Sequence, residues 1–183
     1  MKNKDKTHFR LLKNKCKAIS SSSNLSVFLN LISEYMITTL NVKACAVFLW
    51  NREQNILEVI ASSGLSDSYL KKGPVDADKS ITDTLLGCSA MIWDVGIDPR
   101  IEYPDEAKKE GIASILSVPI SVRDQIIGVL RIYTSERRNF SLAPYELITR
   151  SAGIIGAAID NSKVYDHLKT NNDHLVDEEL GWP

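Results

Sequence analysis

The stretch "SILSVPISVRDQIIGVLRIYT", residues 114–134, limits the fold more than any other part of the chain. Two runs rich in β-branched residues flank the polar turn "VRDQ", which reads as a β-hairpin. Side chains alternate across a strand, so Ile127, Val129, Arg131 and Tyr133 face one way and Ile126, Gly128, Leu130 and Ile132 the other. Both sets begin apolar, so a sheet containing this hairpin needs a cover on each face. Arg131 then lies beneath one of those covers, where a charge needs a partner or a ligand. Pro119 has no amide to donate, which places its strand at an edge or a bulge.

A second hairpin is expected from "ACAVFLW" (44–50) and "ILEVIAS" (56–62) about the turn "NREQN". Leu25, Phe28, Leu29, Ile32, Met36 and Leu40 recur at helical spacing after the capping residues Ser23 and Asn24. Short helices are predicted at 80–87 and 104–111, and a short strand at 90–93. The helical pattern that begins at Ser141 continues through Tyr165 and Leu168 towards Leu175. Its "AGIIGAAI" segment is small enough to approach the sheet closely. A loose basic helix is expected over 7–19. This order predicts an α+β fold: an antiparallel sheet, terminal helices on one face, and an irregular middle segment over Arg131 and Tyr133 on the other.

Length and composition fit one soluble domain: 183 residues, 44% apolar and 25% charged. The expected divisions are a basic N-terminal extension (1–23), the domain (24–168) and an acidic tail (169–183). A net charge of −1 argues against nucleic acid as a partner, because neutralising phosphates needs a basic surplus. No apolar run nears the roughly 20 residues of a membrane span, and no secretory signal is expected. Cys16, Cys45 and Cys88 lie far apart without a CxxC pair, which points to reduced thiols and a cytoplasmic location. No histidine lies between His8 and His167, and there is no HExxH, Walker loop or GxGxxG. Neither an enzyme nor a metal site is therefore expected.

The loop "WDVGIDPRIEYP" (93–104) concentrates the large polar side chains. In one reading Trp93, Asp94, Asp98, Arg100 and Tyr103 roof a pocket, with aromatic walls and an arginine fork for a carboxylate or phosphate. In the other, Asp98 caps a turn before Pro99, Arg100 pairs with Asp94 or Asp98, and the aromatics pack as core. Arg131 and Tyr133 are candidates for the same cavity, with Asp83 and Thr84 lining it from the 80–87 helix. A structural alternative pairs Arg131 with Asp83 or Glu106. Cys45 and Cys88 are expected to be small apolar packers.

The segment "SILSVPISVRDQIIGVLRIYTSERRNFS", with the helix ending "AAIDNSKVYD" after it, resembles the second half of a GAF domain. "GLSDSYLKKGPVDADKSITDTLLGCSAMIWDVGIDPRIEYPDEAKKEGI" is similar to the middle of bacterial members. The resemblance spans Leu25 to Tyr165. It implies a sheet of about six antiparallel strands, terminal helices on one face and a ligand pocket on the other. It implies a sensor or regulatory signalling module for an unidentified small molecule, a homodimer through the terminal helices, and a separate output protein. A ligand-free dimerisation or interaction module is the alternative, with a thiol-dependent free methionine sulfoxide reductase as the remaining one. Departures from subfamilies narrow the ligand. "RRNFSLAPYE" keeps only Asn139, Phe140 and Glu146 of the cyclic-nucleotide constellation, and Cys88 lacks the histidine neighbour of bilin-carrying members, so no covalent chromophore is expected. The free methionine sulfoxide reductases of this family place a cysteine where Trp93–Ser114 has none.

Overall fold

The structure, a computed structural model, describes residues 22–179. The helix expected over 7–19, Cys16 and His8 lie outside the described residues. So do residues 180–183 and the side chains of His167 and His174. The elements run α1 (Ser22–Leu40), β1 (Ala44–Asn51), β2 (Ile56–Ser63), α2 (Asp67–Leu70), β3 (Val75–Asp76), α3 (Ala77–Leu85), β4 (Ala90–Ile92), α4 (Pro104–Lys109), β5 (Ser114–Val122), β6 (Gln125–Thr134) and α5 (Leu142–Glu179). The six strands form one sheet in the order β3-β2-β1-β6-β5-β4, and the described ladders are antiparallel.

The expected alternation divides the core in two. On one face Leu29, Ile32 and Met36 of α1 and Ile148, Ala152, Ile155 and Ile159 of α5 pack on Val47, Val118, Leu130 and Ile132. On the other face Phe48, Ile115, Val129 and Tyr133 are covered by the chain between β2 and β5, through Tyr69, Val75, Val95, Ala107 and Ile112. Ile127 departs from the expected facing and packs on the helix side. The β5–β6 register steps from Ile120↔Gly128 to Ser121↔Ile126, which leaves Ile127 as the extra residue of a bulge. Pro119 sits beyond the last pair with β4, where β5 has no outer neighbour to need its missing amide.

Two elements were not anticipated, the single turn α2 and the two-residue strand β3. The helix expected at 80–87 instead begins at Ala77. There Asp76 accepts from the amides of Asp78 at 2.9 Å and Lys79 at 3.5 Å, and so fixes the start three residues earlier. The β5–β6 turn places Arg123 and Asp124 at φ 49° and 63°, the positive pair of a two-residue hairpin of type I′ geometry.

Only one of the two glycines in "AGIIGAAI" carries the close approach. A Cβ on Gly156 would stand 2.5 Å from the Ser121 carbonyl oxygen, whereas one on Gly153 would meet nothing within 4 Å. Gly156→Ala is expected to destabilise the domain by about 1–3 kcal/mol, as overpacking does. Gly153→Ala, on an open helix surface, is expected to stabilise it by about 0.5–1 kcal/mol. Urea unfolding of both variants checks the sign of each.

Candidate functional site

The cover over the Arg131 face joins the sheet only through the short strands β3 and β4, and side chains bonding to backbone hold much of the rest alongside its own turn bonds. Ser66 caps α2 by accepting from the Tyr69 amide at 3.2 Å, and its own amide donates to Glu110 at 2.9 Å. The capped turn sets the Tyr69 ring edge-on to Tyr133, with centroids 6.2 Å apart. Lys72 follows, its Nζ 4.0 Å from the Tyr69 ring centroid and donating to the Tyr69 carbonyl at 3.3 Å. Gly73 has φ 133°, and a Cβ there would stand 2.6 Å from the Tyr103 hydroxyl. That hydroxyl donates to the Pro74 carbonyl at 2.9 Å, and Glu102 accepts from the Asp76 amide at 2.8 Å. The strip 69–76 is thereby stitched to 102–103 above the sheet.

Between this strip and the sheet lies a cavity of about 20 Å³, bordered by Tyr69, Lys72, Glu102, Tyr103, Ile115 and Arg131 among others. That is room for about one water molecule. Arg131 is 5% exposed, with its guanidinium 5.2 Å from the centre of the Phe48 ring and a hydrogen bond to Tyr133. Ser117, its direct partner across the β5–β6 ladder, is buried with its hydroxyl unmatched. Burial, and secondly the Arg131 charge, push Lys72 down from the ordinary 10.5 to about 8. Burial also raises the phenols of Tyr69 and Tyr133.

Of the residues singled out in the sequence, Tyr103 and Arg131 meet at this cavity, and Tyr133 lies beside it under Tyr69. Trp93 does not border it and is 46% exposed. Asp94 holds a turn, accepting from the Gly96 amide at 2.8 Å and pairing with Arg137. Arg100 spends its fork on Asp98, at 2.9 and 2.7 Å, and donates to the Met91 carbonyl at 2.8 Å. The Asp98 carboxyl is correspondingly held below the usual range. Asp83 is turned outward with a 3.7 Å contact to Arg100, so it is not the partner of Arg131. Thr84 is buried, and its hydroxyl has no hydrogen-bond partner.

Lys72, Tyr69, Glu102 and Ser117 were not anticipated. The Gly73-Pro74 break announced a turn, but nothing in residue type tells a half-buried lysine from a solvated one. Cys88 is exposed, contrary to the expectation of an apolar packer. Cys45 is buried against the helix face, where burial outweighs its hydrogen bond with Ser33 and lifts its thiol to about 12. Such a thiol is a poor nucleophile, since thiolate is the reactive form. Among the described residues, no group of three or more His, Cys, Asp or Glu side chains is placed to hold a metal ion.

Lys72 is expected to titrate near 8, facing Arg131, Glu102, Glu106 and Glu110. Between about 8 and 10.5 the unfolded chain then binds more protons at this lysine than the native one. Its contribution to native stability therefore rises with pH in that window. NMR of ¹³C-dimethylated lysines gives the midpoint, and unfolding of Lys72→Met against the parent gives the sign. With Cys16 replaced by serine, a thiol reagent should label Cys88 rapidly and Cys45 only on unfolding. Equal rates would contradict the burial of Cys45.

A model of the GAF domain matches residues 24–161. The formate hydrogenlyase transcriptional activator of Salmonella typhimurium (strain LT2) is 20% identical over 97% of this chain and 27% of its own length. The methyl sulfide methyltransferase-associated sensor of Methanosarcina acetivorans is 27% identical over 86% of this chain and 16% of its own. The chain thus spans about a quarter of these curated relatives' length, or less. Among solved structures, the GAF domain of a phosphoenolpyruvate-protein phosphotransferase from Coxiella burnetii superposes with TM-score 0.73, at 17% identity, over 90% of this chain and 99% of that one. Free methionine-R-sulfoxide reductase from Neisseria meningitidis does so with TM-score 0.66, at 13% identity, over 89% and 94%. The six-stranded sheet agrees with these folds, and the match over 24–161 shows that the chain belongs to the GAF domain family, whose members are mainly sensory and regulatory modules.

Proposed function

We propose that this chain is a small-molecule sensor or regulatory module, cytoplasmic and not an enzyme. Its ligand enters between the sheet and the 64–112 cover. The observation that carries the reading is the pair of cations, Lys72 and Arg131, bordering one cavity under a cover tied down by a few side-chain bonds. Relatives that are a transcriptional activator and a sensor support a signalling role. In this reading ligand binding reorders the cover and shifts β6. The signal reaches a separate output protein only if the two arrangements bind ligand unequally.

The module works as a homodimer through α1 and α5. Val27 and Leu31, one turn apart on α1, are 62% and 37% exposed, an apolar strip on a helix that also packs against α5. A thiol-reductase role has little support: Cys45 is shielded, and no cysteine lies within Trp93–Ser114. Among the described residues no helix is long and apolar enough to cross a membrane.

Native mass spectrometry of the purified chain, set against its denatured mass, tests both parts. A dimer with extra mass that is lost on denaturation is the expected result. A ligand-free dimer would move the reading to a pure interaction module. A monomer, unchanged by Val27→Glu, would sink the helix-mediated dimer.

A further inference from the structure

We infer that the Glu110 carboxylate is a strap by which the irregular cover grips the head of β1, and through it the helical layer. The inference goes beyond the sensor reading and needs no ligand, since it concerns how the two layers are joined at one end of the sheet. Glu110 is the C-terminal cap residue of α4, and its side chain is 9% exposed. Both of its oxygens are engaged by Ser66 at the start of α2. Oε1 accepts from the Ser66 amide at 2.9 Å, and Oε2 accepts from the Ser66 hydroxyl. Oε1 also stands 3.9 Å from the Lys43 ammonium. One side chain thus joins three segments remote in sequence: the two ends of the cover and the residue that leads into β1.

Lys43 is held from both layers. A Cβ on Gly64, which has φ 79°, would stand 2.4 Å from the Lys43 carbonyl oxygen, so the first residues of the cover lie directly against it. The Lys43 amide donates to the Tyr133 carbonyl at 2.9 Å, beside the start of the β1–β6 ladder at Ala44↔Tyr133. Just after α1, the Asn41 carbonyl accepts from Arg138 at 3.0 Å, which ties the end of that helix to the chain leading into α5. A displacement of the cover at Ser66 or α4 is therefore passed to Lys43 as a shift of the β1 head. Lys72 also faces Glu110, but it donates to the Tyr69 carbonyl and, among the described residues, makes no ion pair with a carboxylate. The Lys43–Glu110 pair is partly exposed and 3.9 Å long, so it is a weak tie. It can open and close without unfolding of the sheet beneath.

The test is amide hydrogen exchange of the full chain by NMR, with the Leu130 and Ile132 amides of the central ladder as the reference for global unfolding. The Leu70 and Lys71 amides, which close α2 on the carbonyls of Ser66 and Asp67, report the cover. Lys43→Met is expected to speed their exchange about three-fold against the reference, the size of effect a partly exposed ion pair gives. Lys43→Arg, which keeps the charge, should hold the parent rates. In a Glu110→Gln background an oxygen still accepts from Ser66 but the charge is gone, so Lys43→Met should add nothing. In the reverse direction, Ser66→Ala should speed exchange of the Lys43 amide. Unchanged Leu70 and Lys71 rates in Lys43→Met overturn the strap, as does an unchanged Lys43 amide in Ser66→Ala. An acceleration that Lys43→Arg shares, or that persists in the Glu110→Gln background, overturns it too. If Glu110→Gln does not fold, the comparison of Lys43→Arg with Lys43→Met still decides. None of these outcomes touches the sensor reading, which stands or falls on the bound mass in native mass spectrometry.

Discussion

A sheet that is apolar on both faces has to be covered twice, and everything else in this domain follows from how differently the two covers are made. The helices α1 and α5 satisfy their own backbone, so they need only an apolar stripe to dock. The opposite cover, from the end of β2 to the start of β5, contains helices of only four, nine and six residues. Its turns close on backbone bonds, and borrowed side chains supply the rest: Ser66, Asp76, Asp94, Asp98, Glu102 and Glu110 all bond to amides within it. Replacing one such side chain frees one stretch of backbone, whereas a helix stripe yields as a unit. The helical layer is thus the rigid reference, and the other layer is able to rearrange locally.

That division explains where the buried charge sits. Arg131 is on β6, a central strand of the sheet, and its face is the irregular one. A guanidinium tolerates this position because Phe48 lies within cation–π range and Tyr133 bonds to it. Immediate neighbours on the same strand, Leu130 and Ile132, touch the helical layer instead. A group bound at Arg131 is therefore separated from the helices by one strand's thickness, with no intervening domain or hinge. Any coupling between the layers has to pass as a shift of β6 or of the β1 and β5 ladders beside it.

The parts legible in the sequence are those with a period. Alternation in β5 and β6 and the helical stripes of α1 and α5 set the sheet, its two-sided core and the facing of Arg131. The parts that were not legible depend on pairings remote in sequence. The turn α2 has a local cap, Ser66 on the Tyr69 amide, but what fixes that turn over the sheet is Glu110, 44 residues away, which no local pattern in "LSDSYL" announces. Lys72 reads as an ordinary surface lysine until Tyr69 and Tyr103 close over it. Trp93, Asp94 and Arg100 were drawn to the site by residue type, yet Asp94 and Arg100 spend their donors and acceptors on holding the loop in shape. Cys88 was misjudged because α3 ends before it and leaves it at the surface.

The two outermost strands are β3, of two residues, and β4, of three. An exposed edge that short offers little backbone for another chain to extend as a further strand. Because β3 pairs only with Ile56 and Leu57, and β4 only with Ile115–Ser117, the rest of β2 and of β5 is the longer open edge, and there exposed Glu58 and Pro119 stand as gatekeepers against growth of the sheet from copy to copy. The inner strands β1 and β6, paired along both sides, are the ones that can remain largely apolar. A domain built this way guards the open parts of its edges by residue type and leaves its inner strands free to be chosen for packing.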